Sequence, residues 1–333
     1  MLQGVSAGAG SVAHHLAAYG GRNDDLFQGV VVQSTFWPML SPVSAVEYKF
    51  DQFAKNISCD TAFDILACLR AKDTVTLQSA DISTQAPGAP GKQLWQFLPV
   101  VDDDFVRTQL YDAFDAGKIV HVPTIIGNDM DEGVYFAPNA STSADFLHFM
   151  KDNFPMLNET DLQVILEQYS LQAPANAHAA WFPSAAAAYG NAVLNCPGNL
   201  MASSLAKTLS DSVFNYRTNI TDASNTVYGL GVPHTFESAA IFGPGNAGPC
   251  DECSYETYNA AVVPVVMDYF VSFVKTLNPN PVKNVVAPTW LPFGRAAGQR
   301  VKLETNNTRM ENLPQSEIDT CAFWRRLQGS MSQ

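Results

Sequence analysis

Short apolar runs alternate with helix-length stretches along this chain. Three runs have the length and the lack of polar alternation that are typical of strands buried on both faces: 27–33 (FQGVVVQ), 122–127 (VPTIIG) and 212–216 (SVFNY). Helical patterns occupy the remainder, at about 7–19, 45–56, 61–71, 146–153, 161–169, 185–209, 255–277 and 316–327. Because buried strands alternate with helices, the pattern predicts an α/β architecture with a mostly parallel sheet.

The loops between these elements do not divide the chain. Pro- and Gly-rich stretches at 86–92, 243–249 and 278–288 are predicted loops, and none has the length or polarity of an interdomain linker. With 333 residues, of which 47% are apolar, the chain can bury a sizeable core. We therefore interpret residues 1–333 as one domain with helical insertions.

Charge and hydropathy exclude some partners. Lys and Arg number 19 against 32 Asp and Glu, so the net charge is −13, which disfavours binding to nucleic acid or anionic membranes. The one long apolar stretch, 260–274, is interrupted by Pro264 and Asp268 and is shorter than the roughly 20 residues that a bilayer requires. It is predicted to be a buried helix, and no integral membrane segment is expected.

The pentapeptide Gly4-Val5-Ser6-Ala7-Gly8 carries the first chemical signal. It lies between a strand end at Leu2–Gln3 and a helix of small residues, as G-x-S-x-G does in the nucleophile elbow of α/β hydrolases. A strained turn there would expose the Ser6 hydroxyl above the sheet. Side chains at positions 4 and 8 are expected to collide with the neighbouring strand and helix. The N–H of Ala7, at the helix start, is the expected oxyanion donor.

A serine hydroxyl becomes a nucleophile only when a base removes its proton. His14 and His15 lie on the helix after the elbow and are expected to point away from Ser6, and His121, His148 and His178 have no distinguishing context. His234 lies in a loop after the strand predicted at 212–216, at the sheet edge where catalytic bases occur. It is the candidate base.

A catalytic histidine also needs a carboxylate that fixes its tautomer. Asp131 and Glu132 follow the strand predicted at 122–127, at the same sheet edge, and their spacing does not separate them. The chain order of serine, acid and histidine is the order that is expected of α/β hydrolases.

Several segments resemble, in order, the type-B carboxylesterase/lipase family, which includes fungal secreted esterases and the cholinesterases. They are GVSAGAGSV, FQGVVVQS, CDTAFDILACLR, FLPVVDDDF, GKIVHVPTIIGNDMDEGVYF, VPHTFESAAIFG, TWLPF and CAFWRRL. The resemblance implies an α/β-hydrolase fold with Ser6 as nucleophile, Glu132 as acid and His234 as base. It also implies a disulfide between Cys59 and Cys68, and a sheet wider than the strands recognised above.

The resemblance implies hydrolysis of a small-molecule or lipid ester through an acyl-enzyme, without a metal or an organic cofactor. Two departures accompany it. The family usually has Glu before the serine, where this chain has Val5, and its early strands and Gly-rich oxyanion loop have no counterpart here. We therefore expect a partial, N-terminally truncated α/β-hydrolase fold. Two alternatives follow: a catalytically inert fragment, or a non-catalytic binding protein related to the cholinesterases.

Cysteines and glycosylation signals favour a secreted protein. Six Cys and five Asn-x-Ser/Thr sequons, at Asn56, Asn139, Asn158, Asn219 and Asn306, suit an oxidising compartment. The residues after Met1 carry no recognisable signal peptide, so the signal is expected outside this sequence. Cys250 and Cys253 lack the further ligands that zinc requires, and a structural disulfide involving them, Cys196 or Cys321 is favoured, with the pairing left open.

Overall fold

Six strands form the central sheet of the computed structural model, which describes residues 1–248, 253–294 and 298–333. Their order across the sheet is β1, β2, β5, β6, β7, β8. The sheet strands are β1 Leu2–Val5, β2 Val30–Gln33, β5 Thr124–Asp129, β6 Val213–Thr218, β7 Gln299–Leu303 and β8 Arg309–Asn312. A separate pair consists of β3 Ser41–Pro42 and β4 Val100–Val101. Only the β7–β8 pairing is antiparallel among the described strands, so the prediction of a mostly parallel α/β sheet is confirmed.

The parallel register brings four strand ends to one edge. Val5 pairs with Gln33, Gln33 pairs with Gly127, and Asp129 pairs with Thr218. Every residue of β2, β5 and β6 is buried, which agrees with their continuous apolar runs. The segments that leave β1, β5 and β6 therefore begin near one another.

Helices cover both faces of the sheet and pack against it through separate apolar clusters. The α-helices are α1 Ala7–Gly21, α2 Val43–Asn56, α3 Ile65–Arg70, α4 Thr74–Ala80, α5 Leu110–Asp115, α6 Ser143–Asn153, α7 Glu159–Gln168, α8 Phe182–Gly190, α9 Cys196–Ala206, α10 Ala223–Val227, α11 Ser238–Phe242, α12 Val263–Thr276 and α13 Gln315–Met331. A short π-helical segment at Asn191–Asn195 joins α8 to α9. Single 3₁₀ turns occupy Glu132–Tyr135, Ser254–Glu256 and Ala260–Val262.

The sequence pattern located the longer elements, whereas the short helices α4, α5, α10 and α11 and the pair β3–β4 were not predicted. Further differences concern α12, α1 and the hairpin of β7 and β8. The helix predicted over 255–277 is wrong in its first part, because α12 begins at Val263 with Pro264 in its first turn. Helix α1 extends to Gly21, but Ala18, Tyr19 and Gly20 have non-helical dihedrals, so its regular part is shorter than predicted. The hairpin of β7 and β8 was not predicted, because its residues lack a long apolar run.

The C-terminal helix α13 is held to the sheet by ion pairs and to helix α9 by a disulfide. Glu317 accepts hydrogen bonds from Arg217 at 2.6 Å and from Arg300 at 2.9 Å, and these cations lower the pKa of Glu317 to about 2 against the opposing effect of burial. Cys321 forms a disulfide with Cys196 of α9. The last element of the chain thereby supports the strand from which the His234 loop departs.

Close packing of α1 against the segment after β2 explains why position 10 is a glycine. A Cβ built at Gly10 would lie 2.4 Å from the backbone oxygen of Phe36, whereas a Cβ at Gly8 meets no described atom within 4 Å. The helix can therefore approach the segment after β2 only because residue 10 has no side chain.

This difference gives a matched test of packing. We expect Gly10→Ala to lower the free energy of unfolding by about 1–3 kcal/mol, because backbone must move to admit the methyl group. Gly8→Ala is the control, and we expect it to be neutral or to stabilise by up to about 1 kcal/mol through helix propensity. Urea unfolding of both variants measures the difference. Equal effects of the two substitutions would contradict the close approach.

Candidate active site

Ser6 lies on a strained turn between β1 and α1. Its φ of 58° and ψ of −123° fall outside the regions that non-glycine residues favour. The turn is fixed by hydrogen bonds from the N–H of Ser6 to the oxygen of Gln33, at 2.9 Å, and from the N–H of Gly10 to the oxygen of Ser6, at 3.0 Å. The hydroxyl is thereby presented at the carboxyl edge of the sheet, partly exposed.

The two elbow glycines have different surroundings. A Cβ at Gly4 would lie 2.2 Å from the backbone oxygen of Gly8, so the expected collision at position 4 is present. The collision expected at position 8 is wrong, because a Cβ there meets nothing within 4 Å among the described residues. The elbow therefore needs glycine at position 4 so that strand and helix can approach, and Gly8 supplies the oxygen that makes that approach close.

His234 is brought to Ser6 by the loop that follows β6. Its Nε2 lies 2.7 Å from the Ser6 Oγ, and the imidazole is 6% exposed. The ring of Phe136 packs edge-on against it at 5.0 Å between ring centroids. His234 is the histidine that the sequence predicted as the base, and none of the other five histidines has a hydrogen bond to Ser6 in the described structure.

The structure shows which of the two candidate carboxylates contacts His234. Glu132 Oε2 lies 2.5 Å from His234 Nδ1, and its other oxygen accepts from Asn128 Nδ2 at 3.1 Å and from the N–H of Asp129 at 2.8 Å. Asp131 instead accepts from the N–H of Val232 at 2.8 Å. Glu132, the acid that the family resemblance implies, therefore contacts the histidine, and Asp131 does not.

Asp131 holds the histidine loop in place. Its own N–H donates to the oxygen of Val232 at 2.9 Å, and a single parallel bridge pairs Asp131 with Pro233. Burial is the largest cause of a raised pKa for Asp131, against which the bond from Val232 acts. A Cβ at Gly231, which has φ +61°, would lie 2.1 Å from the Asp131 carboxylate, so the loop also depends on that glycine.

The arrangement fixes the direction of each hydrogen bond. Beside a carboxylate, imidazole Nδ1 carries the hydrogen and donates to Glu132, which leaves Nε2 as the acceptor for the Ser6 hydroxyl. Ala7 begins α1, so its N–H is one of the amides without an acceptor inside the helix. The site can accept a proton from Ser6, stabilise a positive imidazole and donate one backbone N–H.

A cavity of about 220 Å³ opens beside Ser6. The aromatic rings of Phe36, Trp95 and Phe97 line it, whereas Trp37 packs in the core against Tyr111. His14 also lines it, contrary to the expectation that it points away, but it has no hydrogen bond to Ser6. Burial lowers the pKa of His14 to about 4, so this wall is uncharged at neutral pH.

The remaining expected sites are cysteines and sequon asparagines. Cys59 and Cys68 form a disulfide, Cys253 is also disulfide-bonded, and Cys250 lies outside the described residues. Four sequon asparagines are exposed, and Asn219 is half-buried. Their glycosylation stays a prediction. In the described part of the chain no group of three or more His, Cys, Asp or Glu is arranged to hold a metal, and no described helix has the length and apolarity to cross a bilayer.

Two acids near the site were missed in the sequence. Asp129 ends β5 and Glu237 follows His234 by three residues, and both side chains are fully buried. Their signal was available, because Asp129 lies two residues after the predicted apolar strand 122–127 and Glu237 lies three residues after the candidate base. Side-chain contact between them was not deducible from spacing.

Comparisons with known proteins agree with the fold. The sequence profile of the Carboxylesterase family matches residues 1–324. Lipase 2 of Geotrichum candidum is 30% identical over 96% of this chain and 58% of its own length. The acetylcholinesterase of Bungarus fasciatus is 26% identical over 96% of this chain and 54% of its own.

The crystal structure of Aspergillus niger EstA superposes with a TM-score of 0.96 at 48% identity, covering 99% of this chain and 64% of that one. The chain thus spans less than two thirds of the length of these relatives. Its sheet and helices form an α/β-hydrolase fold, as expected. From the matched profile, the ordered motifs and this fold, the chain belongs to the Carboxylesterase family.

Proposed function

We propose that the protein hydrolyses carboxylic esters through an acyl-enzyme formed on Ser6. The observation that carries this proposal is the continuous hydrogen-bonded chain from Ser6 Oγ through His234 to Glu132, with contacts of 2.7 and 2.5 Å. These are the contacts that a nucleophile, a base and an orienting acid require. Membership of the Carboxylesterase family supports the same reaction.

The reaction follows from the geometry. His234 Nε2 removes the Ser6 proton while Oγ attacks the ester carbonyl, and Glu132 stabilises the imidazolium that forms. The N–H of Ala7 donates to the developing oxyanion. The alcohol then leaves with the proton from His234, and water activated by the same histidine releases the acid and frees Ser6.

The substrate is proposed to be a small-molecule or lipid ester, with one part of it in the cavity beside Ser6. Proton transfer between side chains accounts for each step, so the mechanism uses no metal or organic cofactor. We also propose that residues 1–333 belong to one domain and that the protein is secreted. The disulfides Cys59–Cys68 and Cys196–Cys321 support secretion, because such bonds persist in oxidising compartments.

Covalent labelling tests the nucleophile. A fluorophosphonate probe reacts with a serine only when a base activates it, so we expect stoichiometric labelling of the wild type, with the adduct located on Ser6 by peptide mass spectrometry. Ser6→Ala is expected to abolish labelling. Ser79→Ala removes an exposed hydroxyl on α4 and serves as the matched control with unchanged labelling.

A folded wild-type protein that neither takes the label nor turns over 4-nitrophenyl esters would overturn the proposal. That result would favour the non-catalytic binding protein related to the cholinesterases. A sample that shows no cooperative thermal transition would instead favour the inert fragment.

The two neighbouring acids provide a second test. Glu132→Gln removes the charge that orients and stabilises the His234 imidazole, and we expect kcat to fall by roughly 10³–10⁴. Asp131→Asn keeps an oxygen that accepts from the N–H of Val232, and we expect a loss of about tenfold or less. Steady-state kinetics on one ester compare the two. Similar losses in both variants would refute the assignment of Glu132 as the acid.

A further inference from the structure

Two buried acids outside the hydrogen-bonded chain meet beside it. The carboxyl groups of Asp129 and Glu237 are in hydrogen-bonding contact, and both residues have 0% exposure. Among the described residues, neither side-chain oxygen of Asp129 has a donor at hydrogen-bonding geometry, although the N–H of Phe236 acts on this carboxyl, and Glu237 Oε2 has no donor either. Glu237 Oε1 accepts from the hydroxyl of Tyr216 at 3.0 Å.

Two ionised carboxylates contain no hydrogen that can join them, so this contact requires one of the acids to be protonated. Burial, followed by the charge of Glu237, raises the pKa of Asp129 well above its ordinary value. The titratable groups that face the pair are Glu132 from the turn after β5, Tyr216 from β6, Tyr135 and Tyr255, and none of these four can carry a positive charge. The hydroxyl of Tyr216 and the N–H of Phe236 offset only part of the negative charge. The guanidinium of Arg217 donates instead to the backbone oxygen of Asp129, at 2.8 Å.

The position of the pair links the two segments that carry the base and the acid. The N–H of Asp129 donates to Glu132 Oε1 at 2.8 Å, so Asp129 belongs to the strand end that holds the acid. Glu237 lies three residues after His234, in the loop that holds the base. A bond between Asp129 and Glu237 therefore joins these two segments independently of the contact between Glu132 and His234.

We propose that Asp129 and Glu237 are positioning residues that share one proton and thereby hold the His234 loop against the end of β5. The shared proton leaves one negative charge on the pair. When that proton is lost at alkaline pH, two buried carboxylates repel each other, and the loop moves away from Glu132. The catalytic consequence rests on the proposed function, whereas the shared proton itself does not.

Thermal unfolding tests the shared proton without any turnover. In the unfolded chain both acids ionise near pH 4, whereas the folded pair keeps one proton, so the folded state binds the extra proton above that pH. This contribution to stability is complete below the unfolded pKa and is lost as the pH rises towards the folded one. Asp129→Asn replaces the shared proton by an amide hydrogen that does not titrate. The Tm of D129N minus that of the wild type is therefore expected to rise by roughly 3 °C or more between pH 5 and pH 8.

Asp51→Asn is the matched control, because it makes the same chemical change at an exposed position on α2. Its Tm is expected to follow the wild type at every pH. Glu237→Gln is the second variant and is expected to behave like D129N, which keeps the test valid if one of the two fails to fold. If the Tm of D129N and of E237Q changed with pH in parallel with the Tm of the wild type, the proposal of a shared proton would be overturned.

Kinetics test the positioning role. We expect D129N to lower kcat/KM at pH 7 by about threefold and to keep that level at pH 9–10, where the wild type declines. Asp129→Leu has no hydrogen to donate and is expected to lose at least tenfold at pH 7, mainly in kcat. If D129L and D129N had equal activity and equal pH profiles, the positioning role would be refuted. Absence of esterase activity in the wild type would instead count against the proposed function and leave the melting result intact.

Discussion

The parallel register of β1, β2, β5 and β6 is the constraint on which the hydrogen-bonded chain from Ser6 to Glu132 depends. Parallel pairing places the carboxyl ends of these strands at one edge, so the segments after β1, β5 and β6 start close together although Ser6 and His234 are 228 positions apart. The sheet alone brings these segments only into proximity. The contacts of 2.7 and 2.5 Å also require the two hydrogen bonds between Asp131 and Val232, which attach the histidine loop to the segment that carries Glu132.

The hydrogen-bonded chain also requires the strained backbone of Ser6. That conformation persists because hydrogen bonds hold the chain both before and after the turn. A dihedral pair of this kind costs on the order of 1–3 kcal/mol, so the turn would relax without support. The bond to Gln33 fixes the chain before the turn to β2, and the bond from Gly10 begins the helix after it. The absence of a side chain at Gly4 lets strand and helix approach closely enough for both bonds to form. The local strain is therefore offset by the packing of the whole β1–α1 unit.

The sequence predicted those parts of the fold that have a periodic or compositional cause. Strands β2, β5 and β6 are buried on both faces and read as apolar runs, and the G-x-S-x-G motif identified Ser6 because the turn restricts residue types. Strands β7 and β8 contain mostly polar or half-exposed residues at the sheet edge, so they lack such a run. Spacing could not separate Asp131 from Glu132, because the distinction depends on which side chain faces the loop after β6. The contact between Asp129 and Glu237 likewise depends on that loop.

Three carboxyl groups lie fully buried within this small region, and their environments explain how they coexist in a chain of net charge −13. The oxygens of Glu132 accept from Asn128, from the N–H of Asp129 and from His234, so the protein replaces the water that a charged carboxylate would bind. The side chain of Asp129 has no comparable set of donors, because it faces another acid while its backbone N–H donates to Glu132. A charged carboxylate is thus stabilised beside His234, and the proposed shared proton lies where no cation compensates. This division follows from the different directions in which the side chains of Asp129, at the end of β5, and Glu132, in the turn after it, point.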